Sequence, residues 1–192
     1  MTAAPFPLCA EIRLPDWLAQ RPVPPILSDD NEAMQLAIDL ARENVARGHG
    51  GPFGAVLLAG SRRVLSVGVN LVQPSGNPML HAEVAAISLA SALGAGAGLD
   101  AAVLFTTCEP CIMCLGAIHW AGIRRVVHAA LREDAEAIGF SEGAGSPELK
   151  SQMTARGVVF EAGMMREDSI VILRGYRRSG GAIYGPGLTT RS

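Results

Sequence analysis

The chain has 192 residues, of which 49% are hydrophobic and 18% are charged, and this composition predicts one domain with a sizeable buried core. A formal net charge of −2 and a pI near 6.1 give no basic footprint of the kind that nucleic-acid-binding domains carry, so a nucleic-acid partner is disfavoured. The sequence shows neither a signal peptide nor an apolar run of membrane-spanning length, which predicts a cytoplasmic protein with no membrane partner.

Residues 1–27 contain six prolines. Proline fixes its own backbone φ angle and lacks an N–H donor, so this stretch cannot sustain a long helix or a central strand. We therefore predict an N-terminal arm over residues 1–27 and a single domain over residues 28–192. Trp17 and Leu18 are apolar side chains that can fasten the arm to the domain, while the first dozen residues fit a mobile leader equally well.

The first strong helix signal follows Asp29, which stands three residues before Glu32 in a capping-box-like arrangement. Apolar residues then recur up to Arg47 and predict a core helix, which the glycines of residues 48–51 end.

The rest of the chain alternates between strand and helix patterns. Two strand-like runs around a short polar turn predict a hairpin, and the later alternation predicts an α/β protein with a mostly parallel sheet. The predicted strands are residues 53–59, 64–70, 102–107, 124–130 and 158–161, and the predicted helices are residues 82–93, 111–121, 133–137, 147–155 and 167–178. Residues 71–80 are predicted to be a loop and residues 94–98 a glycine-rich linker.

Two short stretches carry residues that can bind zinc: His81-Ala82-Glu83 and Pro110-Cys111-Ile112-Met113-Cys114. One histidine nitrogen and two thiolates bind zinc tetrahedrally with the fourth position left to water, and Glu83 lies within reach of that water. The two cysteines are three residues apart, so both sulfurs can face one ion from the first turn of a helix, which Pro110 suits as a start. The amide groups at that helix start favour thiolates. The pattern predicts a catalytic site for one zinc ion per chain.

A closed structural zinc site is the alternative, and it requires a fourth protein ligand. Cys108 is the one candidate, but it ends a predicted strand and fits a buried free thiol better. The remaining histidines, which are His49, His119 and His128, are interpreted as structural or solvent-facing residues.

Together the two motifs resemble those of the cytidine-deaminase-like superfamily of zinc hydrolases. Residues 107–122 and 134–142 resemble the bacterial guanine deaminases of that superfamily, and the resemblance extends from about residue 31 to the C-terminus. It also includes residues 50–55, 69–70 and 176–184. The resemblance implies a three-layer α/β/α fold around a mixed, mostly parallel sheet of about five strands. It further implies one Zn²⁺ per chain and a homodimer, since this family is commonly dimeric.

The resemblance also assigns roles to side chains. Glu83 would be the general acid and base, and Glu142 would be a second catalytic carboxylate that holds the purine, at a position where the family has either aspartate or glutamate. The residues that would contact the substrate are Phe53, Asn70, Ala82 and Phe140. From the residues alone, Asn70 fits a turn equally well and an isolated phenylalanine is more often a core residue. A solvated acid in a glycine-containing loop is the less favoured alternative for Glu142.

The activity that these features imply is hydrolysis of guanine to xanthine and ammonia, a reaction on a small-molecule purine. A tRNA adenosine deaminase shares both motifs but would carry a basic surface. Another amino-heterocycle, such as an aminotriazine, cytosine or a modified guanine, is a second alternative. A catalytically silent, zinc-stabilised binding protein is a third, and the presence of Glu83 disfavours it.

Overall fold

The computed structural model describes residues 12–141 and 143–185, except for the side chain of Ala97. Its helices are α1 (Asp16–Gln20), α2 (Asp30–Ala46), α3 (Val72–Ser75), α4 (Ala82–Ala92), α5 (Ile112–Ala121), α6 (Arg132–Glu136), α7 (Ser146–Ala155) and α8 (Arg166–Arg178), with a 3₁₀-helix at Gly96–Ala101. Its strands are β1 (Gly54–Leu58), β2 (Val64–Val69), β3 (Val103–Cys108), β4 (Arg125–Ala130) and β5 (Val159–Ala162).

The five strands form one sheet in the order β2-β1-β3-β4-β5. β1 is antiparallel to both of its neighbours, whereas β3, β4 and β5 are mutually parallel. Four strands therefore run in one direction and β1 runs in the other. This confirms the predicted mixed, mostly parallel sheet, including the hairpin of β1 and β2.

Helices cover both faces of the sheet. Alternate residues of β1 point to opposite faces, so Val56 and Leu58 pack in a core with α2, while Ala55 and Leu57 pack in a second core with α4 and α5. α8 joins α2 on the first face, and α7 joins α5 on the second. All five residues of β1 are buried, as a central strand between two helical layers requires. The predicted three-layer α/β/α architecture is confirmed.

α2 begins as its sequence predicts, because the Asp29 side chain accepts a hydrogen bond from Glu32 N at 2.9 Å. The Glu32 carboxylate in turn accepts a hydrogen bond from Ser28 N at 2.7 Å. Two amide groups that have no backbone partner within the helix are therefore satisfied. Eight residues of α2 are buried, which makes it the central helix of its layer.

The described part of the proline-rich segment lies on the domain surface. Trp17 and Leu18, both in the short helix α1, are buried, so the prediction that they fasten this segment is confirmed. Farther along, Val64 N donates to Pro25 O at 3.0 Å and Leu27 N donates to Arg62 O at 3.2 Å, which ties the segment to the β1–β2 turn. The predicted mobile leader falls almost wholly outside the described residues.

Two predicted irregular stretches contain helical turns. The loop over residues 71–80 includes α3, where Pro74 is tolerated because the first turn of a helix needs no N–H donor at that position. The linker over residues 94–98 runs into the 3₁₀-helix. Among the helices that the structure describes, none combines the length and the apolar character needed to cross a bilayer.

Candidate active site

The predicted site residues leave the sheet at a single edge. Because β1 is antiparallel to its neighbours, its first residue lies beside the last residues of β2 and β3. Gly54 pairs with Val69, and Gly54 N donates to Thr107 Oγ1 at 3.1 Å. The segments that carry Phe53, Asn70 and the cysteine motif therefore emerge side by side, as ligand-binding segments do at the carboxyl ends of parallel strands.

His81, Cys111 and Cys114 form a zinc-binding triad. His81 and Cys111 are the N-cap residues of α4 and α5 and have extended backbone angles. The Nδ1 atom of His81 lies 3.5 Å from Cys111 Sγ and 3.7 Å from Cys114 Sγ. Zn–S and Zn–N bonds of ordinary length at a tetrahedral angle would separate sulfur and nitrogen by about 3.6 Å. The three side chains thus have the spacing that zinc requires, with one coordination position left over.

The two sulfurs of the triad share a proton. A hydrogen bond from the Cys114 thiol, followed by contacts with His81, lowers the pKa of Cys111 to about 4. The same sulfur–sulfur hydrogen bond and burial raise the pKa of Cys114 well above its ordinary value. Cys111 is therefore the more readily ionised of the two sulfurs, and a bound divalent cation would supply the charge that ionises Cys114.

Glu83 lies beside the triad in the first turn of α4. Its side chain is only 6% exposed. Burial is the largest cause of the raised pKa of Glu83, followed by the charge of Cys111, while the Cys114 thiol hydrogen-bonds to the carboxylate. A carboxylate with a raised pKa accepts and returns protons more readily than an ordinary one, which is the behaviour expected of a general acid and base.

Gly68 fixes the start of α4 against the sheet. A Cβ atom at Gly68 would lie 2.1 Å from Ala82 O and 2.7 Å from Ala86 N, so only glycine allows β2 to pack this closely on the helix backbone. The predicted substrate residue Ala82 is fully buried at this contact. Just beyond β2, Leu71 N donates to Leu80 O at 2.9 Å. That bond joins the residue after Asn70 to the residue before His81.

Asn70 is fully buried at the end of β2. Its Oδ1 accepts a hydrogen bond from Val72 N at 3.2 Å, so the interpretation of Asn70 as a turn residue is correct for one half of the amide. The other half, Nδ2, has no hydrogen-bond partner among the described residues. A buried donor left unpaired costs about 1–3 kcal/mol, so this amide has the character of a group that awaits a ligand.

Phe53 and Phe140 pack against each other. Their ring centroids are 5.0 Å apart with the planes at 70°, and Phe140 also stacks on Tyr176 at 6.1 Å. Phe140 is buried, as its interpretation as a core residue requires, whereas Phe53 is half-buried. Asn70 N donates to Phe53 O at 3.1 Å, so the structure brings together Phe53, Phe140 and Asn70. We call these three residues, which are predicted to contact the base, the base-side group.

Tyr184 was not assigned to the site from the sequence, although the resemblance included residues 176–184. Its ring lies 5.0 Å from that of Phe140. A Cβ atom at Gly51 would lie 1.8 Å from Tyr184 Oη and 3.3 Å from Asn70 Cγ, so the tyrosine hydroxyl and the Asn70 side chain both lie close to this glycine. No local pattern around Tyr184 signals this contact.

Glu142 lies outside the described residues, and its assigned role stays a prediction. The next residue, Gly143, has a φ of +81° and packs so closely on α5 that a Cβ atom there would lie 2.5 Å from Ile112 Cγ2. The chain just after Glu142 therefore contacts the first residue of the helix that carries the cysteines.

The other cysteine and histidine predictions agree with the structure. Cys108 is buried, 3.7 Å from Leu131 O through its sulfur, and stands apart from the triad. Within residues 12–141 and 143–185, no fourth side chain completes a closed zinc site. His49 and His119 are exposed, and His128 is buried with Nδ1 at 3.1 Å from Ala130 O.

Comparison with known proteins identifies the class. Residues 27–130 match the family model of the cytidine and deoxycytidylate deaminase zinc-binding region. The chain therefore belongs to this family of zinc-dependent deaminases, and it has the cytidine-deaminase-like fold of an aminohydrolase.

Within the family, the chain is similar to guanine deaminases. It is 40% identical to guanine deaminase of Bacillus subtilis over 127 residues, which are 66% of this chain and 81% of that protein. The solved guanine deaminase from Nitrosomonas europaea is 34% identical, with a TM-score of 0.83 over 91% of this chain and all of that one. A structure in complex with 8-azaguanine, also 34% identical, superposes with a TM-score of 0.84 over 92% of this chain and all of that one.

Proposed function

We propose that this protein hydrolyses guanine to xanthine and ammonia. The observation that carries the proposal is the unpaired Asn70 amide, buried at the same sheet edge as the zinc-binding triad and Glu83. A purine presents ring nitrogens and a carbonyl oxygen as acceptors to such a donor. The similarity to two guanine deaminases and to a protein that binds 8-azaguanine supports guanine as that purine.

In this proposal His81, Cys111 and Cys114 hold one zinc ion per chain. When bound, zinc acts as a Lewis acid that brings the pKa of a coordinated water down to about 7. Their spacing, the burial of both cysteines and the low pKa of Cys111 support this assignment.

Glu83 moves the protons of the reaction. It takes a proton from the attacking water and delivers it first to the ring nitrogen next to the amino-bearing carbon. The water oxygen forms a bond to that carbon and gives a tetrahedral intermediate with a hydroxyl group. Glu83 then takes the proton of this hydroxyl and passes it to the amino nitrogen, the bond from carbon to the amino nitrogen breaks, ammonia leaves, and the hydroxyl oxygen becomes the carbonyl oxygen of the product. The raised pKa of Glu83 supports a role first as general base and then as general acid, because a more basic carboxylate binds the proton more readily before it passes it on.

The base-side group positions the purine. Asn70 Nδ2 donates to an acceptor on the base, and Phe53 offers the half-exposed face of a ring whose back is supported by Phe140. Ala82 closes the wall next to Glu83. Glu142 accepts ring N–H groups of guanine and assists proton transfer, as the resemblance implies. Charged acceptors of this kind make stronger hydrogen bonds than neutral ones.

The same proposal includes a cytoplasmic homodimer built from a domain of residues 28–192, with residues 1–27 as its arm. These features rest on the sequence and its resemblance. Sedimentation of the zinc-loaded protein should give twice the mass of the 20.0 kDa chain, and a monomer at all accessible concentrations would reject the dimer.

The test of the activity is ammonia release from a panel of substrates. Guanine should be the best substrate among guanine, adenine, cytosine, their nucleosides and aminotriazines, with tRNA included as the polynucleotide alternative. Activity on tRNA with none on guanine would reject the proposal in favour of an RNA deaminase. Preference for an aminotriazine or cytosine would keep the chemistry and change the substrate.

A second experiment tests Glu142. Glu142→Gln and Glu142→Ala should lower turnover of guanine strongly while the zinc content stays at one per chain, because the charged acceptor is lost and the triad is untouched. Parent-like kinetics in both variants would remove Glu142 from the site.

A further inference from the structure

Asn44 is a buried amide on the apolar face of α2, and neither sequence motif nor family similarity assigned it a role. Asn44 is fully buried, on the helix that also buries Leu40 and Ala41. Its Nδ2 donates to two backbone carbonyls, that of Gly51 at 3.1 Å and that of Asn70 at 3.0 Å. The Asn44 side chain therefore joins the loop before β1 to the end of β2, and Asn70 lies 26 residues after Asn44 in the chain.

The backbone around the hydrogen bond from Asn44 to Asn70 is closely packed. A Cβ atom at Gly50 would lie 2.2 Å from Asn70 O and 3.0 Å from Asn44 Nδ2. The Asn70 carbonyl is thus enclosed between the Gly50 backbone and the Asn44 amide. At the other end of the same residue, Asn70 Oδ1 is held by Val72 N. Both the peptide carbonyl and the side-chain carbonyl of Asn70 are fixed, which leaves Nδ2 as its one uncommitted polar group among the described residues.

We infer that Asn44 is a positioning residue for base recognition: through the Asn70 carbonyl it sets the direction in which Asn70 Nδ2 points. The inference rests on the proposed function for the identity of the base. A hydrogen bond prefers a donor–hydrogen–acceptor angle above about 150° and weakens steeply below about 120°, so a rotation of Asn70 that misdirects Nδ2 would weaken binding of the base. The Asn44 side chain makes its hydrogen bonds to Gly51 and Asn70 and none to the zinc-binding triad. We therefore expect the rate of the chemical step to be unchanged when Asn44 is replaced.

The experiment is a double-mutant cycle between Asn44 and Asn70. Asn44→Leu keeps the volume and removes both donors, while Asn70→Ala removes the base contact. Each single variant should raise KM for guanine roughly tenfold, the scale of one lost or misdirected hydrogen bond, with kcat within about threefold of the parent. The double variant should have the KM of Asn70→Ala within about twofold, because Asn44 acts only through Asn70. Multiplicative effects of the two substitutions would overturn the inference.

Ser66→Ala is the matched control. Ser66 lies in β2, before Asn70 in the chain, and its buried Oγ donates to one backbone carbonyl, that of Ala86 in α4, at 2.7 Å. Its loss should lower thermal stability while leaving KM unchanged. If Asn44→Leu does not fold, Asn44→Ser retains one donor and should show a smaller rise in KM, again absent in the Asn70→Ala background.

Failure of the proposed function is distinguishable from failure of this inference. If the parent deaminates another heterocycle instead of guanine, the cycle is measured with that substrate, and the coupling between Asn44 and Asn70 is read in the same way. If it deaminates none, hydrogen exchange decides. Exchange at residues 50–54 and 69–72 should accelerate in Asn44→Leu but not in Ser66→Ala, and equal exchange in the two variants would overturn the inference.

Discussion

The zinc-binding triad and the base-side group lie at the same edge of the sheet but are assembled differently. The triad and Glu83 come from two short stretches, each at the first turn of a helix. The base-side group comes from three separate segments, and long-range bonds hold two of them, such as Gly54 N to Thr107 Oγ1 and Asn44 Nδ2 to Asn70 O. The chemical half of the site is therefore encoded locally, whereas the recognition half depends on the tertiary fold.

Because the two groups are assembled differently, we expect substitutions near them to have different effects. A local motif brings its ligand atoms together wherever its two helix starts are held, so related enzymes with different substrates can share it. A group fastened by distant backbone contacts changes its shape when any one contact changes. Variants of the two halves should accordingly fail in different ways.

The largest effect is expected for Cys111→Ala. This variant removes the thiolate with the lowered pKa, so zinc and activity should be lost together. Zinc per chain is measured by atomic emission, and Cys108→Ala serves as the control that keeps its zinc because Cys108 lies outside the triad. Full zinc occupancy with normal turnover in Cys111→Ala would contradict the ligand assignment.

Glu83→Gln should separate the proton transfer from the metal. The substitution keeps the size of the side chain and removes the base, so zinc content and binding of 8-azaguanine should persist. Turnover should fall by about two to four decades, the typical contribution of general acid–base catalysis. Steady-state rates within tenfold of the parent would assign the proton transfer to another group.

Gly68→Ala should show that the triad depends on one packing contact outside its motifs. The new Cβ atom meets Ala82 O at 2.1 Å, which should cost about 1–3 kcal/mol of unfolding free energy by overpacking and lower the activity by displacing the start of α4. Gly116→Ala is the control within α5, where a Cβ atom would meet nothing within 4 Å. It should be stabilising by about 0.5–1 kcal/mol, and denaturant unfolding measures both variants.

The smallest effect is expected for Asp134→Asn, next to the segment that leads to Phe140. The hydrogen bonds from Arg166, at 2.8 and 2.9 Å, are the main cause of the lowered pKa of Asp134. Because the folded pKa is below the ordinary 3.8, the charged pair stabilises the fold above that pH and loses its effect as the pH falls through the folded pKa. The variant should unfold at a slightly lower temperature than the parent at pH 7, and this difference in unfolding temperature should disappear below about pH 4. A difference in unfolding temperature that does not change with pH would contradict an ionic contribution from the Asp134–Arg166 pair.

Most of the fold follows from periodicity and punctuation in the sequence. The Asp29 cap, the turn between β1 and β2 and the glycines after α2 are local signals, and the predicted elements match the observed ones to within one or two residues. α3 was missed because Pro74 and its neighbours have poor helix propensity. Its single turn forms because the Leu71–Leu80 bond and the cap at Gly76 hold its ends.

The site divides in the same way. His81, Glu83, Cys111 and Cys114 could be predicted from spacing because each pair shares a helix start. Asn44 could not, although a polar residue on the apolar face of a helix is a signal that deserved weight, since burial of an amide requires partners. The contact of Tyr184 with Gly51 depends on the path of the chain after α8, which no local pattern specifies.

The bond between Leu71 N and Leu80 O has a consequence for how such an enzyme can be modified. It joins the two residues that flank residues 72–79. The loop between them can therefore be lengthened without moving Asn70 or His81. Closing a longer loop costs only about 0.6 kcal/mol for each doubling of its length. A reporter peptide or a new recognition loop inserted at the exposed residues 78–79 should therefore lie beside the catalytic end of the sheet without displacing Asn70 or His81, and new substrate ranges could arise through such insertions.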